Sequence, residues 1–220
     1  MGLFSKKNMP LSSQKIDFCK IDNWLKGNAD RILNCSLQSP ANETLLKELE
    51  KITEKPLPQD FKQLYFWHNG MTEDENCGSL FYGMDFLPIE KIIAEQKRRI
   101  GSLNQGKIQL RKADNGIDIS NLFNPGWVCF GFDGAHTWLY LDLAPTDKGT
   151  VGQIIFIDDE ELTGILVAQS TADFVADFVN DLENGLYHLQ PDALSEGNHF
   201  LEPANEIDLV NWYQSKKWQR

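Results

Sequence analysis

The sequence predicts an α+β fold in which a mainly antiparallel central sheet is flanked by helices. Apolar residues recur at three- and four-residue spacing in four segments before residue 100 and in one after residue 170, which is the signature of amphipathic helices. Between residues 126 and 169 the chain instead carries four β-branched and aromatic segments. Their links are short enough for hairpins, so neighbouring strands run antiparallel and a doubly wound parallel sheet is excluded.

Taken in order, Ile16, Cys19, Ile21, Trp24 and Leu25 predict a first helix, with Ser12 and Ser13 as candidate caps and Gly27 as its stop. The stretch NETLLKELEKI predicts a second, capped by Asn42 and apolar at Leu45, Leu46, Leu49 and Ile52. In LPQDFKQLYFWHNG, Pro58 suits a first helical turn and Gly70 offers the left-handed residue that ends one. Phe61, Leu64, Tyr65 and His68 then share one face, and a histidine just before Asn69-Gly70 is expected to satisfy the last carbonyls of the helix. SLFYGMDFLP reads as extended chain, and Pro88 starts a further helix through Ile89, Ile92, Ile93 and Gln96. Residues 102 to 124 carry no clear period. The hairpins are GWVCFGFD with TWLYLDL and GQIIFID with GILVAQS, after which Ser170 and Asp173 form a capping box for a helix through Phe174, Val175, Phe178 and Leu182. A terminal amphipathic segment, Ile207, Val210, Trp212 and Tyr213, reads as an added helix docked on the domain or as an arm used by a partner; docking is expected, because exposed tryptophan tends to find a core. The organisation expected is a domain over residues 1–187 with an extension, 188–220, docked on it.

With 41% hydrophobic and 24% charged residues among 220, the chain has the make-up of a folded protein. No apolar run reaches the roughly 18 residues of a membrane span. The N-terminus lacks the pattern of a secretion signal, and Lys6 occupies the position where myristoylation wants Ser or Thr, so a cytoplasmic location is expected. Cys19, Cys35, Cys77 and Cys129 form no C-x-x-C pair, and the expectation is reduced, mostly buried thiols. Charge is unevenly divided. Residues 131 to 210 hold one lysine against 16 acids, a balance of −15, whereas residues 1 to 130 are close to neutral. Such a field repels phosphate backbones and attracts basic proteins.

Catalytic templates find little support. The glycines of GFDGAH lie between two strands, where no phosphate-cradling helix begins, and the serine-elbow and H-E-x-x-H motifs are absent. His68 reads as structural. Asp133 and Asp142 could pair for glycoside hydrolysis, but acids at strand ends are ordinary turn residues. No catalytic residue, metal ligand or cofactor is assigned. The candidate partner-binding residues are the acidic loop Glu73, Asp74 and Glu75, then Asp133 and Asp142, and the turn Asp158, Asp159, Glu160 and Glu161.

From about Ile16 to Tyr187 the chain resembles the SUKH superfamily, the domain of the fungal cell-wall-assembly regulator and of many bacterial toxin-immunity proteins. Leu57 and Pro58, then Phe61, Leu64 and Tyr65, then His68, Asn69 and Gly70 look like the family's Leu-Pro helix running into a His-Asn-Gly turn. Phe86, Leu87 and Pro88 follow as its strand-to-helix entry. Trp127, Leu141 with Asp142, Pro145 to Gly149, Gly152 with Gln153, and Ser170 with Phe174 continue the resemblance in order. It implies a SUKH-like α+β domain that binds proteins and has no known catalytic residues. Because the long disordered flanks of the fungal members are missing, the expectation formed here is a bacterial, cytoplasmic immunity protein. Its partner would be a basic toxin or effector, with no direct nucleic acid or membrane contact. The alternative is a regulatory or scaffold module of the cell-wall-assembly-regulator type.

Overall fold

The computed structural model describes residues 16–72, 78–102 and 106–219. A six-stranded sheet runs through the molecule in the order β1-β3-β4-β5-β6-β2, where β1 is Asp85–Phe86, β2 Lys112–Ala113, β3 Trp127–Phe132, β4 Thr137–Asp142, β5 Gln153–Asp158 and β6 Thr163–Ala168. Among the described residues only β2 and β6 pair in parallel; the other pairs are antiparallel, as the short links require for β3-β4 and β5-β6. Strands β3, β4 and β5 are buried along almost their whole length, which is possible only if both faces are covered.

The helices supply that cover. These are α1 (Cys19–Asn28), α2 (Glu43–Thr53), α3 (Gln59–Trp67), α4 (Ile89–Ser102) and α5 (Thr171–Glu183). On one face Phe61 of α3 and Phe174 of α5 both meet Phe130 edge-on, with ring centroids 5.9 and 5.6 Å apart. On the other, α4 lays Arg99 over Tyr140, its guanidinium 4.9 Å from the ring centroid and donating to the hydroxyl. Asn42 and Ser170 cap α2 and α5 by accepting from the backbone N–H of Leu45 and Asp173, both at 3.0 Å.

The His-Asn-Gly turn follows α3 and is hydrogen-bonded to the start of α4. Asn69 Oδ1 accepts from Ile89 N at 3.0 Å while its Nδ2 donates to Glu90 at 2.9 Å, so Asn69 caps a helix twenty residues onward. His68 corrects its expectation in detail: its ring pairs with the Gln38 carbonyl, and not with the last carbonyls of α3. Trp67 is half-buried, stacked on Phe18 at 5.0 Å and donating to Asp22.

Three further readings are corrected. SLFYGMDFLP is not uniformly extended: Phe81–Gly83 forms a 3₁₀ turn with Tyr82 at φ 54°, and only Asp85–Phe86 of the segment is strand. Cys19 and Cys35 are exposed, and only Cys129 of the described cysteines is buried, its thiol pushed up to about 12 by burial. Beyond α5 come β7 (Tyr187–Leu189), α6 (Pro191–Ser195) and β8 (Leu201–Pro203), then a series of turns where a terminal helix was one of the outcomes expected. Strand β7 straddles position 187, and Tyr187, Leu201, Leu209 and Trp218 are all buried in the same core as the sheet.

Candidate protein-interaction surface

Register decides which acids meet. Thr137 of β4 lies opposite Asp158 of β5, and Asp159 N donates to the His136 carbonyl, so the β3-β4 and β5-β6 turns sit side by side at one end of the sheet. Asp133, Asp159, Glu160 and Glu161 are brought together there, with His136 Nδ1 3.7 Å from Glu160. Asp142 lies at the opposite end, paired with Trp127 and Gln153. Six residues of β4 separate it from Asp133's turn, roughly 17 Å at strand rise. Glycosidase carboxylates stand about 5 to 10 Å apart, so these two form no hydrolytic pair.

Several of the candidate acids spend their oxygens inside the protein. Asp158 is 3% exposed; its Oδ1 accepts from the N–H of Glu160 and Glu161, and its Oδ2 accepts from the Trp212 indole at 3.0 Å. Asp142 is fully buried and accepts from Ala144 N at 2.8 Å and from Gln153 Nε2 at 2.9 Å. Burial pushes its carboxyl up to about 6, against the opposing pull of those donors and of the nearby Trp127 indole. Neither Asp142 nor Asp158 presents a free charge to a partner, which corrects the expectation that they would; both are turn-building acids. Asp133 is half-buried and holds its own turn through Ala135 N and Thr137 N, and Glu160 and Glu161 are exposed. Glu73, Asp74 and Glu75 lie outside the described residues. Among the described residues no group of three His, Cys, Asp or Glu is placed to hold a metal.

Beside the acidic turns is a feature that sequence reasoning missed. Phe132 and Trp138, opposite each other on β3 and β4, stack with centroids 3.9 Å apart and 22° between planes. Both are only half-buried, although the sheet around them is covered. They face Leu87 and the Ala94 side of α4 across a cleft of about 230 Å³, with Lys91 and Arg98 at its far rim. Arg98 is paired with Glu95. Trp138 Nε1 donates to Asp159 Oδ2 at 3.1 Å, which fixes the ring, while burial pushes the Asp159 carboxyl up. The available signal was period two in TWLYLDL, which puts Trp138, Tyr140 and Asp142 on one face, but it could not show that α4 stops short of covering Trp138. A second groove, about 310 Å³ between α1 and α5, is bridged by Lys20 and Glu183 at 2.9 Å.

Comparison with known proteins places this geometry in context. Residues 40–177 match the SMI1 / KNR4 family (SUKH-1). Over 91% of its length the chain is 27% identical to the cell wall biosynthesis/cell cycle regulator smi1 of Schizosaccharomyces pombe, covering 43% of that protein. It is 23% identical over 86% of its length to the cell wall assembly regulator SMI1 of Saccharomyces cerevisiae, covering 44%. A glucan synthesis regulatory protein of Neurospora crassa is 24% identical over 91% of the chain, which covers 45% of it. The chain therefore spans less than half the length of these relatives.

Proposed function

The chain belongs to the SMI1 / KNR4 family (SUKH-1), and from that premise we propose that it is a protein-interaction module serving cell-wall regulation, working by binding and not by catalysis. The observation that carries this reading is the alignment of nearly the whole chain with relatives named as regulators of cell wall assembly, cell wall biosynthesis and glucan synthesis. The surface supports it: an acidic ridge adjoins a half-buried aromatic pair, the composition by which a non-obligate interface recruits and anchors a partner. Toxin neutralisation, the reading first favoured from the sequence, has less behind it, since these relatives are fungal regulators.

The module acts in the cytoplasm; no helix among the described residues is long and apolar enough to cross a membrane. Residues 188–220 form part of its working body, an extension docked on the domain of residues 1–187. Genetic complementation tests the function. Expression of the full chain in a fungal strain lacking its own cell-wall-assembly regulator should restore growth on a wall-binding dye. No rescue, together with one dominant toxin-like protein captured by the chain, would return the immunity reading to first place.

A further inference from the structure

We propose that the cleft between α4 and the β3-β4 hairpin receives a short basic peptide segment of a partner protein, anchored by one aromatic or leucine side chain that packs on Trp138 and flanked by arginine or lysine that faces the acidic turns. This rests on the protein-binding reading above and specifies which surface binds and what chemistry it selects.

Three observations support it. The cleft, about 230 Å³, is below the roughly 300 Å³ at which small-molecule sites begin, and suits one large side chain better than a cofactor. Its floor is a stacked aromatic pair whose outer ring is held in place by Asp159, so a binding face stands ready without the cost of ordering a mobile side chain. Charge complementarity selects the flanks. Asp133, Asp159, Glu160 and Glu161 crowd the hairpin side, within the stretch that carries one lysine against 16 acids. On the α4 wall the two cations that line the cleft, Lys91 and Arg98, already have partners, Arg98 in Glu95, so they compete less for a ligand carboxylate. An arginine beside the anchor would meet these carboxylates in charge-assisted hydrogen bonds.

The test is selection of random peptides of about twelve residues, a length typical of groove-bound segments, on the immobilised full chain, followed by anisotropy titrations of the enriched peptides. Enriched sequences should place Trp, Phe, Tyr or Leu next to Arg or Lys. Ala94→Trp fills the cleft from the exposed surface of α4 and spares the core, and it should weaken binding by at least about tenfold, as loss of a central anchor does. The double change Glu160→Lys and Glu161→Lys should weaken it less and flatten its salt dependence. Trp138→Ala should match Ala94→Trp where it folds. Failure to enrich any peptide, or enrichment of acidic or uncharged ones, overturns the proposal. Peptides that bind wild type and Ala94→Trp alike remove this cleft while leaving the protein-binding function in place. Loss of that function itself would appear as failed complementation.

Discussion

Gly70 sits at φ +70°, and a Cβ there would lie 2.4 Å from the Pro88 nitrogen, so alanine would be strained in backbone and in contact at once. Gly70→Ala should lower stability by roughly 2 kcal/mol or more in denaturant unfolding, by pushing α4's start away from the turn. Its neighbour is testable in the same way: Asn69→Ala removes the cap from α4 and should cost about 1 to 2 kcal/mol. Asp142 gives a pH signature. Its folded carboxyl is raised to about 6 from 3.8 because its charge is buried, so the folded state holds its proton more tightly than the unfolded chain does. That contribution to stability is fully present below about pH 4 and is lost as pH rises through about 6, by up to about 3 kcal/mol. Unfolding free energies of wild type and Asp142→Asn, measured across this window, should show the falling component only in the wild type. Identical slopes would place the buried charge elsewhere.

Among the elements, the chain beyond α5 behaves as a strap. Trp218 donates to the Ile207 carbonyl at 2.8 Å and meets the Tyr82 ring edge-on at 5.8 Å, while Lys217 reaches Asp181 of α5 at 3.5 Å. Earlier in the same segment, Trp212 ties it to the Asp158 turn. Trp218→Ala should therefore cost about 3 to 5 kcal/mol through lost packing, which thermal unfolding would register; a change below about 1 kcal/mol would mean that the strap only rests on the surface. The helices α2 to α5 were legible because each carries an apolar face and a local start signal, Asn42 and Ser170 as caps of α2 and α5 and Pro58 and Pro88 at the starts of α3 and α4. Strand β2, two residues long and paired in parallel, was not legible within residues 102 to 124, because its stability comes from β6 and from Asp114 accepting the Leu166 N–H, not from its own period.

At the level of the whole molecule, register gathers four acids of the later half, Asp133, Asp159, Glu160 and Glu161, into one ridge beside the cleft. Replacing the exposed Glu160 and Glu161 by lysine should slow association with a basic partner by about tenfold at low salt and leave dissociation nearly unchanged, which stopped-flow traces would separate. Sequence alone was enough to identify the antiparallel α+β class, the caps of α2 and α5 and the resemblance to this family, because short links, periodic apolar faces and turn residues act locally. It also located the acids, but not their exposure. Asp142, Asp158 and Glu160 are alike as turn carboxylates in the sequence, and only packing distinguishes them: two are buried with partners outside their own turns, Gln153 on the neighbouring strand and Trp212 far along the chain, while the third is left in water. The half-buried Phe132 and Trp138 pair was decided the same way, since whether a strand face is open depends on where α4 comes to rest across it, a contact between segments some forty residues apart that no local pattern encodes.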